Sequence, residues 1–105
     1  MARSNPDTDT VMPAVLELLK RETEMKKAGI NEHMRKWIEA HGFDERDRSI
    51  GWALNRLSKE GHLSHPRIGS WRVTPKGMAT VLSPEEATRI MLKWTAIERA
   101  NRARK

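Results

Sequence analysis

The hydrophobic period of this chain changes twice along its length, and that pattern bounds what the chain can fold into. Up to Gly61, apolar residues recur three and four positions apart, the spacing of one side of a helix. From His62 to Thr74 they alternate, the spacing of a strand, and from Ser83 the helical spacing returns. Neither an all-β barrel nor a pure helical bundle has such a sequence, so the expected class is α+β and mostly helical. At 105 residues the chain is one domain's worth, and 37% apolar residues with a mean hydropathy of -0.75 provide for one modest core under a polar surface.

Residues 1–8 are polar and aperiodic and read as a flexible N-terminal extension to a domain over 9–82. Val11, Ala14, Val15, Leu18 and Leu19 predict a first helix, capped by Asp9 or Thr10, with Pro13 in its first turn and an end between Arg21 and Glu24. Asn31 is the predicted cap of a second helix that buries Met34, Trp37, Ile38 and His41 and stops at Gly42. Asp44 to Asp47 cap a third, with Ile50, Ala53, Leu54 and Leu57 inward and Gly61 as its stop. His62 to His65 and Trp71 to Thr74 form the arms of a hairpin whose turn holds Pro66 and Gly69. Thr74 then caps a short helical turn with Pro75 at its first position. Ser83 and Glu86 make a capping box for a last helix, over 83–105, that ends in a basic tail.

Three helices, a two-stranded hairpin and an additional C-terminal helix, in that order, are the elements of a winged helix-turn-helix. In that fold the third helix enters a DNA major groove and the hairpin, the wing, approaches neighbouring phosphates. The charge distribution agrees with it: of the net charge of +6, most sits in residues 45–79, where seven Lys and Arg face three Asp and Glu, whereas residues 1–30 balance. Along the third helix, Arg46, Arg48, Ser49, Asn55, Arg56 and Lys59 occupy the side away from its apolar residues. Arg suits a guanine edge or a phosphate, Asn suits adenine, and Ser serves either. Arg67, Ser70 and Arg72 are the wing candidates, with Lys76 at its base. Trp52 falls on the same outward side by helical spacing, where it either folds against the wing or presents its ring to a base. The expected partner is duplex DNA and the expected role a small transcriptional regulator or DNA-binding accessory protein, with no cofactor and no metal.

The segment from Gly51 to Leu82 also resembles the N-terminal winged-helix domain of Mrr-family restriction endonucleases. The shared pattern is Pro13 before a Leu-rich helix, Gly51-Trp52-Ala53, Leu57, Gly61-His62-Leu63, Pro66-Arg67-Ile68-Gly69, Trp71, and Thr74-Pro75-Lys76-Gly77. It spans residues 10–82. The resemblance implies a DNA-binding module, and it brings reading of modified DNA, with Trp52, as an alternative. In that family cleavage belongs to a separate catalytic domain for which these residues leave no room, so no enzymatic activity is expected.

Other chemistries lack their residues. There is no cysteine, which removes disulfides, thiol nucleophiles and Cys-bearing zinc sites and makes the cytoplasm the expected compartment, on the nucleoid if DNA is bound. His62 and His65 point to opposite faces of a strand, with no third ligand placed to complete a metal site. Glu22, Glu24 and Lys26 read as a solvated helix end. No apolar run approaches the roughly 18 residues of a membrane span. In the last helix Ala87, Ile90, Met91, Trp94 and Ile97 make a stripe longer than the core of one small domain requires. Ile90, Met91, Trp94 and Ile97 are therefore expected to pair with the same helix of a second chain in a homodimer, or else to fold back on helix one. The competing function is a protein-interaction module acting through this helix.

Overall fold

A computed structural model describes residues 8–42 and 48–103. The N-terminal extension, Arg46 and the expected cap at Asp44 to Asp47 lie outside the described residues. The elements are α1 (Thr8–Glu22), β1 (Glu24–Lys26), α2 (Lys27–Ala40), α3 (Arg48–Lys59), β2 (Leu63–Arg67), β3 (Ser70–Val73), α4 (Pro75–Met78) and α5 (Pro84–Ala103). The protein is α+β, mostly helical, with a small antiparallel three-stranded sheet in the order β1-β3-β2.

The apolar residues of α1 cover more than one side: Val11, Met12, Val15, Leu16, Leu18 and Leu19 are all buried. A helix apolar over so wide an arc must be covered from several directions, and α3, α5 and β3 all pack on it. It begins at Thr8, earlier than its apolar spacing predicts, so Pro13 lies in the second turn and leaves a carbonyl one turn back without its donor. α3 contributes Ile50, Ala53, Leu54 and Leu57, α2 contributes Ile30, Met34 and Ile38, and α5 contributes Ala87 and Ile90.

Strand β1 is absent from the sequence reading, which places Glu24 and Lys26 on a solvated helix end. After α1, Thr23 turns the chain at a φ of 70°, donating its N–H to Leu19 O at 2.7 Å and accepting from Val73 N–H at 2.9 Å. The next three residues then pair with β3 in the register Glu24↔Arg72, Met25↔Trp71 and Lys26↔Ser70. A threonine in the left-handed region gives no turn signal, and three residues are too few to show a period.

Helix α2 starts at Lys27, so Asn31 lies inside it rather than at its cap, and the Asn31 Oδ1 is buried without a partner. His41 is exposed rather than buried. Its backbone N–H and its Nδ1 both hydrogen-bond Trp37 O, at 3.0 and 2.8 Å, which closes the C-terminus of the helix before Gly42 turns at a φ of 79°. The hairpin forms, but its arms reach further than expected: β2 runs on through Pro66 to Arg67 and β3 starts at Ser70, which leaves Ile68 and Gly69 as the turn. A bulge lies between Ser64 and Arg67, and Pro66 sits on the outer strand, where no ladder needs its missing N–H. Thr74 Oγ1 accepts from Gly77 N–H at 3.1 Å, and Ser83 Oγ accepts from Glu86 N–H at 3.1 Å. The Glu86 carboxylate does not complete the capping box; it takes Arg89 at 2.8 Å instead.

Candidate functional site

The outward side of α3 is not open along its whole width, because the second half of α5 lies along one flank of it. Arg56, expected as a base contact, is only 2% exposed. Its guanidinium donates to both carboxylate oxygens of Glu98, at 2.8 and 3.1 Å, and to Asn55 Oδ1 at 2.8 Å, and it sits 4.9 Å from the centre of the Trp52 ring. The physical reason is angular. One residue before Leu57, Arg56 is turned about a quarter circle from the core and not opposite it. It therefore faces the next helix packed alongside. Lys59 keeps part of its surface, 3.9 Å from Glu98 and 5.3 Å from the Trp94 ring. At the end of α3, Glu60 accepts from Lys93 at 2.6 Å and from Trp94 Nε1 at 2.7 Å. The hydrogen bond from Arg56 holds the Glu98 carboxyl below its ordinary range. Burial pushes Glu60 up, but the bonds from Lys93 and Trp94 and the charges of Lys93 and Lys76 more than reverse that and leave it lowered.

What remains open on α3 is the strip of Gly51, Trp52, Asn55, Ser58 and Lys59. Arg48 and Ser49 stand in its first turn, and their side chains lie outside the described residues. A residue missed by the sequence reading joins this strip to the hairpin. Lys27 donates its backbone N–H to Gly69 O at 2.7 Å, and its ammonium lies 3.7 Å from the point where a Cβ on Gly51 would stand. A Cβ at position 51 would make ordinary van der Waals contact with that ammonium. The signal was present in Lys26-Lys27, but it became visible only once β1 had brought the start of α2 against the turn.

On the hairpin itself, Arg67 and Ile68 are exposed at the tip, and Arg72 is half exposed while bonded to Glu24 at 2.7 Å across the β1/β3 pair. Ser70, expected as a contact, is buried because it lies on the central strand between β1 and β2. Lys76 is exposed and donates to Glu60 O at 2.6 Å, over Gly61. His65 stacks on Trp71 with ring centres 4.2 Å apart. His62 is buried, and among the described residues no group of three His, Cys, Asp or Glu could hold a metal.

Part of the stripe on α5 packs on its own chain. Ile90 is buried against α1 and has no surface left for a second chain, and Trp94 packs against the same core with its indole N–H on Glu60. Met91 turns toward α3, and Ile97 keeps an exposed face. Met91, Thr95, Glu98, Arg99 and Arg102 of α5, with Trp52 and Arg56 of α3, line an open groove of about 380 Å³. No family model, curated protein or solved structure matches the chain. No helix among the described residues is long and apolar enough to cross a membrane.

Proposed function

We propose that the chain is a winged helix-turn-helix that binds duplex DNA, as a small transcriptional regulator or DNA-binding accessory protein. The observation that carries this reading is Lys27. Its backbone holds the hairpin turn at Gly69, its ammonium lies over Gly51 of α3, and hairpin and helix thereby form one cationic surface. The element order and the β1-β3-β2 sheet support it, as does the resemblance to Mrr-family domains, which rests on the sequence pattern alone.

The contact set differs from the sequence expectation. Asn55 and Lys59 on the open strip, Lys27 beside it and Arg67 at the hairpin tip are the contacting groups. Arg56 positions Asn55 instead: by donating to Asn55 Oδ1 it leaves the amide nitrogen as the outward donor, suited to an acceptor on a base or phosphate. Ser70 serves the sheet.

Fluorescence anisotropy of a labelled random-sequence duplex, read across salt concentrations, tests the reading. Binding should weaken with salt by about 0.9 log unit per log unit of salt for each phosphate contacted. Lys27→Ala and Lys59→Ala should each flatten that slope, whereas Arg89→Ala, on the far part of α5, should not. Absence of binding at low salt would overturn the proposal. A second reading, protein docking through α5, is favoured by Leu92, which is 64% exposed on that helix; a Leu92→Ser variant would lose such a partner and keep any DNA binding.

A further inference from the structure

We propose that the groove between α3 and α5 binds one unstacked nucleotide, its base against Trp52 and its phosphate on Arg99 and Arg102. This site adjoins the proposed duplex surface, sharing Trp52 of the α3 strip with it, and is tested with a ligand of its own. Met91, Thr95, Glu98 and Arg102 follow one another at intervals of four, three and four residues, so they share one side of α5. Trp52 faces them from α3, and the space between, about 380 Å³, lies within the roughly 300–1,000 Å³ of small-molecule sites.

Each chemical group of a nucleotide finds a counterpart here. Trp52 is 42% exposed, a large aromatic left partly in water, and the Arg56 guanidinium 4.9 Å from its ring centre holds it in place as a stacking platform. Met91 adds an apolar, polarisable neighbour. Glu98 spends two acceptor positions on Arg56, and an ionised carboxylate has about four, so it can still accept from the N–H edge of a base. The Arg56 side chain is 3% exposed with its Nε buried, so in the wall of the groove it holds Glu98 and Trp52 in position.

The charge balance selects the other end of the ligand. Three guanidinium groups line the groove against one carboxylate, and Arg56 already neutralises that carboxylate. Arg99 and Arg102 are exposed and have no hydrogen-bond or ion-pair partner among the described residues, and they lie three residues apart, close enough on a helix to clasp one group. Arg102 adds to the positive field on Glu98, but neither guanidinium is hydrogen-bonded among the described residues, and together they match a phosphate, which carries up to two charges and three strong acceptor oxygens. A nucleotide brings that phosphate together with a flat ring and an N–H edge. Its source is either a free mononucleotide or an unpaired position in a strand, and the two share this chemistry.

Amide and indole resonances of the full chain decide the matter. Adenosine 5′-monophosphate should shift the amides of Met91 to Arg102 and the Trp52 indole N–H saturably. Adenosine and ribose 5-phosphate should each bind at least tenfold more weakly. The Arg99→Ala/Arg102→Ala variant should lose tenfold for the monophosphate and nothing for adenosine, and Trp52→Ala should lose about tenfold for both; all three residues are exposed, so dispersed spectra will show that the variants fold.

Equal affinity for ribose 5-phosphate or inorganic phosphate, shifts spread over the whole basic surface, or variants that bind as the parent does would overturn the proposal. A single-stranded oligodeoxyadenylate that shifts the same resonances more tightly than the monophosphate identifies a strand as the source; binding of the monophosphate alone identifies the free nucleotide. Salt-sensitive duplex binding without nucleotide binding removes the groove and leaves the duplex reading intact. The reverse result does the opposite.

Discussion

Two residues show how local backbone geometry constrains this fold. A Cβ on Gly77 would run into the carbonyl oxygen of His62 and come to 2.9 Å from Val73 Cγ2. The first of these is main chain and cannot rotate away, so α4 and the start of β2 would have to separate. Gly77→Ala should therefore cost about 3 kcal/mol, the upper part of the usual overpacking range. In a domain of this size that lowers Tm by on the order of 15 °C, which a thermal melt followed by circular dichroism would read. Thr23 presents the opposite case. Its φ of 70° burdens a β-branched side chain, and the exposed hydroxyl is not needed for the turn, which the backbone bonds to Leu19 and Val73 make. Thr23→Gly relieves about 1–2 kcal/mol of steric cost and loses part of it to the greater freedom of unfolded glycine. A net gain of about 0.5–1 kcal/mol should appear as a higher urea midpoint with an unchanged slope.

Between elements, the clasp of α5 on α3 is a small contact held by the ion pair of Arg56 with Glu98. Removing one partner of a buried ion pair strands the other charge, at about 3–5 kcal/mol when burial is complete. Glu98 keeps 23% of its side-chain surface, so water can partly replace it, and Glu98→Ala should cost about 2 kcal/mol in chemical denaturation. Adding Arg56→Met to that variant should recover most of the loss, because the stranded charge is then gone; two separate additive losses would show that the pair is not the contact that matters.

The clasp also marks where sequence reading stops. Ile50, Ala53, Leu54 and Leu57 could be assigned to the core from spacing alone, since one helix carries the whole pattern. Ser83 and Thr74 could be assigned as caps for the same reason: the cap and the bond it accepts are three residues apart. Arg56 could not be placed, because its partner lies 42 residues away. A helical wheel shows which side of a helix is apolar and is silent on which polar flank another helix will cover. Lys27 was missed for a related reason: its place beside Gly51 and Gly69 depends on β1, whose short run carries no period of its own.

Across the whole molecule, His62 couples this packing to pH. It stands where α3, β2 and α4 meet: its carbonyl accepts from Thr74 N–H at 3.0 Å, its N–H reaches Leu57 O at 2.9 Å, and its Nδ1 is buried without a partner. Burial holds its imidazole below its ordinary value, the positive charges of Lys76 and Lys20 add to that, and Glu60 opposes them in part. A group lowered in the folded state takes up its proton more readily when the chain unfolds. Its contribution to stability is therefore complete above about pH 6.5, the unfolded value, and is lost as pH falls from there through the folded value. Glu60 and Glu98, also lowered, add a second loss that begins only below the ordinary carboxyl range of about 4.3. The melting temperature should thus be level near neutral pH, fall from about pH 6.5, and fall again below about pH 4.3. His62→Leu separates the two losses. It fills a similar volume and has no donor or acceptor to strand at the Nδ1 position, so the fall from about pH 6.5 should vanish while the acidic one remains. A profile unchanged by His62→Leu would mean that the upper fall arises elsewhere and that the junction of α3, β2 and α4 does not sense pH.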